Sequence, residues 1–206
     1  MAAGKGTRMK SAHPKVLHTL AGRSLLQHVL NAVAGLQADQ TLLIVGHGAD
    51  AVRASVADSG ALCVLQEPQL GTGHAVQQAV PHLPDGGTTL ILNGDVPLIE
   101  PATAAALAAT CGGTKLALLT IELADATGYG RIVRNDKKEV RAIVEQKDAS
   151  EAERAIREVY TGMLAAPTAW LKRAVMALKN QNAQKEFYLT DIVAMAVAEG
   201  VPVLAQ

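Results

Sequence analysis

Thr41-Leu42-Leu43-Ile44-Val45-Gly46-His47-Gly48 reads as a short apolar strand stopped by a glycine turn, and what surrounds it decides the fold. A helix is expected near 50–58, followed by a second apolar strand at Leu62–Gln66. Upstream, Leu25, Leu26, Val29, Leu30 and Val33 recur at helical spacing behind Ser24, a candidate cap, which predicts a helix over 24–36. Downstream, Gly71-Thr72-Gly73 opens another helix, with Ala75, Val76, Ala79 and Val80 on its apolar side and Pro81 near its stop. Thr89–Leu92 is the next strand and Pro101–Cys111 an alanine-rich helix. Short apolar strands alternating with helices predict an α/β fold whose mostly parallel sheet is covered on both faces. After Lys115 the pattern changes: 115–123, 130–134, 139–147 and 158–165 all read as extended, which predicts a smaller lobe of closely paired strands. Helices at about 167–179 and 190–199 follow.

Composition narrows the function. The 206 residues suit one domain, or one domain with a small lobe, and 49% hydrophobic residues are enough for a core. Lys+Arg and Asp+Glu are both 19, so no net field draws the chain to nucleic acid or to an anionic membrane. One Trp, three Tyr and one Phe leave little aromatic surface for stacking single-stranded bases. No apolar run approaches the roughly 20 residues that span a bilayer, and the glycine-rich, charged opening is not that of a signal peptide. Neither a nucleic-acid nor a membrane partner is therefore expected. The two cysteines, Cys63 and Cys111, fit no zinc spacing and read as buried thiols in a reducing, cytoplasmic setting. The six histidines match no zinc motif, and no Gly-x-Ser-x-Gly elbow is present.

The opening, Met1-Ala2-Ala3-Gly4-Lys5-Gly6-Thr7-Arg8-Met9 running to Pro14-Lys15, carries the chemistry. Glycines let backbone N–H groups approach an anion, Arg8 offers a planar fork of donors that matches phosphate oxygens, and Lys15 adds a point charge. The same composition also suits a solvated turn with exposed cations. The spacing is neither that of a Walker loop nor of the dinucleotide fingerprint. In open parallel sheets ligands gather at the carboxyl ends of strands. Asn93-Gly94-Asp95 follows the strand Leu90-Ile91-Leu92 and sets a carboxylate there; Pro97 argues against the hairpin that Asn-Gly would otherwise suggest. Gln66 ends another strand with an amide that both donates and accepts, though a surface glutamine fits the pattern as well. Gly71 and Thr72 equally suit a helix start.

Taken in order, the opening loop, Lys15-Val16-Leu17-His18, Gln66 with Leu70-Gly71-Thr72-Gly73-His74-Ala75, Gly94-Asp95-Val96-Pro97-Leu98, Thr127-Gly128-Tyr129-Gly130-Arg131-Ile132 and Tyr188-Leu189-Thr190-Asp191-Ile192 cover nearly the whole chain. Together they resemble the uridyltransferase half of the bacterial bifunctional N-acetylglucosamine-1-phosphate uridyltransferase/glucosamine-1-phosphate acetyltransferase family. The resemblance implies a Rossmann-like, GT-A-like fold of the nucleotide-diphospho-sugar transferases, with a mixed sheet and a small sugar-binding β lobe. It implies one nucleotidyltransferase domain over 1–206, with the acetyltransferase β-helix, on which trimerisation largely rests, outside it. The implied reaction joins UTP and N-acetylglucosamine-1-phosphate to give UDP-N-acetylglucosamine, a precursor of peptidoglycan and lipopolysaccharide, with Mg²⁺ as cofactor.

Residue by residue, the resemblance gives Arg8 and Lys15 the catalytic charge, and Met1, Ala2, Ala3, Gly4, Lys15, Gln66, Gly71 and Thr72 the nucleotide. Asn93, Gly94 and Asp95 line the site, with Asp95 as metal ligand; Gly130, Glu145 and Tyr160 receive the sugar. Three departures stand out. Family members carry an apolar strand ahead of the glycine loop, inside the sheet, so a first strand is expected to be missing here. Tyr160 stands where the family usually has Asn. A second metal ligand, an Asn, falls beyond Gln206. Two alternatives stay open: a transferase for another sugar-1-phosphate, and a non-catalytic nucleotide-binding fragment.

Overall fold

The computed structural model describes residues 1–6, 9–11 and 13–206. Arg8, assigned a catalytic charge from the sequence, lies outside them. A tight hairpin, β1 (Thr19–Leu20) and β2 (Arg23–Ser24), turns on Ala21 and Gly22, both with left-handed backbone. Helix α1 (Leu25–Ala34) starts where the sequence places its cap: Gln27 N–H donates to Ser24 Oγ at 3.1 Å. Then come β3 (Leu42–Val45), α2 (Ala49–Ser55), β4 (Leu62–Leu65), α3 (Thr72–Ala79), β5 (Thr88–Ile91) and α4 (Pro101–Cys111). Pro101 opens α4, where its missing N–H is not needed, and Gly112 ends it in the left-handed region.

The second half holds β6 (Leu116–Glu122), β7 (Arg131–Arg134), β8 (Val140–Val144), α5 (Glu151–Arg154), β9 (Glu158–Pro167), α6 (Thr168–Met176), α7 (Ile192–Ala198) and β10 (Val203–Ala205). The expected mixed sheet is present, but its ladders are less parallel than the alternation of strands and helices suggests. β3 with β4 and β10 with β6 are parallel, whereas β9 runs antiparallel to β5, β6 and β7, and β7 to β8. The reason is the length of β9. Its carboxyl half lies between β5 and β6, with Ala165 opposite both Leu90 and Ala117, while its amino half reaches into the small lobe beside β7. One strand thus joins the two parts. Helices cover both faces: α6 and α7 bury Trp170, Leu171, Ile192 and Val193 on one, α1 and α4 bury Val29, Leu107 and Cys111 on the other.

Met1–Ala3 occupies the middle of this layout. Ala2 pairs in the parallel sense with Val45, its N–H donating to Ile44 O at 2.8 Å, while the Met1 amine donates to Leu92 O at 2.6 Å and Gly94 N–H to Met1 O at 2.8 Å. Three residues therefore bridge the β3 and β5 sides as the end of a strand would. Behind them, β3 and β5 are each paired on one side only, and their facing edges border an apolar cavity of about 370 Å³ lined by Leu26, Val29, Val76 and Ala79 among others. Interiors packed like organic crystals do not hold voids of that size.

Candidate active site

The carboxyl ends of β3, β4 and β5 meet at one crevice, and the glycine loop lies across it. Ala2 and Ala3 are buried, Gly4 is open with nothing near its Cα side, and Gly6 turns with a φ of +58°. A Cβ on Gly6 would stand 2.8 Å from Lys15 Cβ, so the glycine lets the loop close over that lysine. The Lys15 ammonium forms an ion pair with Asp95, which sits just past β5; both side chains keep partial exposure to the crevice. Burial pulls the Met1 amine down to about 6, opposed in part by the Asp95 charge.

Gln66 is 3% exposed, which replaces the alternative of a surface glutamine with a buried one. Its Nε2 donates to Gly71 O at 2.9 Å and lies 3.2 Å from His74 Nδ1, and burial holds that imidazole below the usual histidine range. The nitrogen end of the amide is turned to these partners, which leaves Oε1 as the end able to meet a ligand. Gly71 has a φ of +109°, and a Cβ there would sit 2.6 Å from Phe187 O. Thr72 does not cap α3; its Oγ1 instead accepts from Leu189 N–H at 3.0 Å.

The small lobe faces this crevice across β9. Gly162 has a φ of +88°, within the irregular stretch between the Tyr160 and Leu164 pairings, and its Cα side abuts the Asn93 side chain, tying the lobe to the end of β5. Gly94 is hemmed in by Leu26 and Met1, each 3.2 Å from where a Cβ would lie. Gly130 O accepts from Tyr160 N–H at 2.9 Å, and a Cβ on Gly130 would clash with Ile143 at 2.7 Å and stand 3.6 Å from Glu145 Oε1. Glu145 is not the plain solvent-facing charge its alternating strand suggests. Burial raises its pKa, Thr190 Oγ1 donates to it at 3.0 Å and opposes the rise, and Asp191, Asp148 and Glu186 push it further up. Tyr160 is 8% exposed with a hydroxyl that has no partner among the described residues, and burial together with the Glu145 charge keeps it protonated.

The site residues fall into two groups that touch. Met1–Gly4, Lys15, Gln66, Gly71, Thr72 and Asn93–Asp95 gather at the crevice; Gly130, Glu145 and Tyr160 gather in the lobe. The turn Leu189–Asp191 serves both, through Leu189 N–H to Thr72 and Thr190 to Glu145. Sequence reasoning used that segment only for resemblance and missed its structural part, as it missed Arg131 and Gln146. Only the run of polar residues at Thr190-Asp191 ahead of an apolar helix hints at it.

Residues 1–186 match the family described as MobA-like NTP transferase domain. The chain belongs to this family. It is a nucleotidyltransferase domain, and among its relatives are a bifunctional protein GlmU of Methylibium petroleiphilum, 65% identical over 212 residues, and one of Polaromonas naphthalenivorans, 60% identical over 215. Each alignment covers 100% of this chain but 46% of the relative, so the chain spans about half the length of the proteins it matches. A crystal structure of UDP-glucose pyrophosphorylase complexed with UDP-glucose shares the fold at a TM-score of 0.74 and 15% identity, covering 99% of this chain and 87% of that one. A nucleotidyl transferase from Methanothermobacter matches at 0.66 and 20%, over 99% and 83%.

MobA-like transferases and their kin generally use a divalent metal. Among the described residues no three His, Cys, Asp or Glu side chains cluster as a ready-made cage. Among the described residues Asp95 offers a hard carboxylate oxygen in the crevice, beside Lys15. That donor set fits an ion that takes the rest of its shell from substrate phosphates and water, the habit of Mg²⁺. Among the described residues no helix is long and apolar enough to cross a membrane.

Proposed function

We propose that this chain transfers the uridylyl group of UTP to N-acetylglucosamine-1-phosphate, releasing pyrophosphate. The observation that carries the reading is the convergence of two half-sites: a glycine loop with the Lys15–Asp95 pair at one strand end, and a lobe presenting Glu145 and Tyr160 beside it. The free Oε1 of Gln66 supports uracil, whose imide N–H is the donor such an acceptor would read. Glu145, enclosed and hydrogen-bonded, suits a sugar hydroxyl, and Gly130 leaves backbone room beside it.

The chemistry needs no protein base. A phosphate oxygen of the sugar phosphate, already anionic, attacks the α-phosphorus of UTP in line. The new P–O bond forms as the bond to the pyrophosphate oxygen breaks, and that oxygen leaves with the electron pair. The protein's part is positioning and charge neutralisation. Lys15 turns from Asp95 toward the phosphates, and the sequence motif makes Arg8 the candidate for a second cation in the same task. When bound, Mg²⁺ held by Asp95 and the nucleotide phosphates would neutralise charge on the triphosphate. A cytoplasmic setting, where UTP is made and cysteines stay reduced, agrees with this.

Pyrophosphate release by the purified chain, with Mg²⁺ and a panel of nucleotides and sugar phosphates, tests the reading. Release with UTP and N-acetylglucosamine-1-phosphate, well above every other pair, is expected. Release with another pair moves the assignment to that substrate. A folded chain that binds UTP but releases nothing is a nucleotide-binding fragment.

A further inference from the structure

Arg131 opens β7 and is enclosed, at 2% exposure, yet among the described residues no carboxylate forms an ion pair with it. A guanidinium taken out of water without a counter-ion is destabilising, so its retention calls for a reason. Its contacts supply one. One terminal nitrogen donates to Tyr129 O, the other to Gln146 Oε1 at 2.7 Å, and its Nε is buried with no partner. Gln146 Oε1 also accepts from Gly128 N–H at 3.1 Å. Asp125, ahead of the same turn, feels the guanidinium at longer range: its carboxyl is held below the usual range first by Thr127 and then by the Arg131 charge.

The guanidinium thus grips the turn Gly128–Gly130 directly at Tyr129 and, through one amide oxygen, at Gly128. Gly130, the last residue of that turn, stands over Glu145 and holds Tyr160 N–H through its carbonyl. We propose that Arg131 is a positioning residue of the sugar-phosphate subsite, which with Gln146 latches this turn over Glu145. The proposal rests on the function proposed above for its substrate, and on the hydrogen bonds alone for the latch. Lysine could not replace the fork: one point charge cannot hold Tyr129 O and Gln146 Oε1 in fixed directions.

Half-exposed Gln146 gives the cleaner variants, because altering the enclosed Arg131 risks the fold. Gln146→Leu removes the shared acceptor; Gln146→Glu keeps an acceptor oxygen and adds the absent counter-ion. Hydrogen exchange and steady-state kinetics are measured on the full chain for both, with Arg131→Lys beside them. In Gln146→Leu and Arg131→Lys, exchange at Gly128 and Tyr129 should quicken about tenfold, with β7 and β8 unchanged. KM for the sugar phosphate should rise about fivefold while KM for UTP and kcat stay within about twofold. Gln146→Glu should restore both readouts. Unchanged exchange at the turn, or KM values for both substrates rising together, overturns the proposal. An unaltered chain silent with every sugar phosphate overturns the functional reading and the sugar role with it, while the exchange data, which need no turnover, still decide whether the latch exists.

Discussion

The crevice and the small lobe are built to different standards of closure. In the lobe, β7 pairs with β8 along its length and meets β9 at Arg131; Arg134 and Glu158 form a double hydrogen-bonded ion pair at 2.6 and 2.7 Å, and Arg131 locks the connecting turn. At the crevice, β3 and β5 face each other across a cavity, joined at its upper end by Met1–Ala3. The join between β3 and β5 at the crevice therefore rests on a handful of backbone hydrogen bonds from three residues, whereas the lobe is held by strand ladders. Local opening follows such differences, with sparsely packed segments exchanging first.

The largest expected effect separates chemistry from this structural contrast. Asp95→Ala should lower kcat by about 10³-fold or more and Lys15→Ala by about 10²-fold, with melting temperatures close to the parent, because both side chains are partly exposed. A normal rate in either variant removes the proposed mechanism.

Next in size is a test of the cavity itself. Four apolar residues placed ahead of Met1 should enter between β3 and β5, each four residues long, and raise the melting temperature by about 10 °C. Four serines should not. If both extensions behave alike, the gap is not a strand position and the contrast between the two regions loses its basis.

The pH dependence sharpens the same point. Because the folded amine of Met1 sits near 6 against 8.0 for an ordinary terminus, its contribution to stability is fully present above about pH 8 and is lost as pH falls through about 6. Two units correspond to about 2–3 kcal/mol, so the melting temperature should drop on acidification across that window. Acetylating the amine should flatten the slope; an unchanged slope would mean that other groups cause it.

The smallest effect belongs to the lobe. Tyr160→Phe deletes a buried hydroxyl with no partner and should stabilise by about 1 kcal/mol, read as a slightly higher denaturation midpoint. A clear loss of stability would show that the hydroxyl has a partner in solution.

What was legible in the sequence was what neighbours in sequence decide. Ser24 announces α1, Pro101 and Gly112 bracket α4, and Asn93-Gly94-Asp95 after an apolar strand puts a carboxylate at the crevice. What was not legible depends on distant partners. The run 158–165 reads as one more lobe strand, and nothing local says that its extension to Pro167 will lie between β5 and β6. Glu145 alternates like a surface residue and is enclosed by Thr190, some 45 positions away. Arg131 entered only as part of a motif, because one of the acceptors that make its burial tolerable, Gln146, arrives from 15 positions away once β7 and β8 pair. The proposed site divides the same way: its candidates come from contiguous motifs, whereas Arg131 and Gln146, which hold one of those motifs, were not singled out.

The short turn Leu189–Asp191 grips Thr72 with one residue and Glu145 with the next. A rigid link of that kind works like a shared axle: a shift that loosens its hold at the crevice is felt in the lobe, and the reverse must hold equally. Displacing that turn would alter the Thr72 and Glu145 contacts together, so the crevice and the lobe share one support.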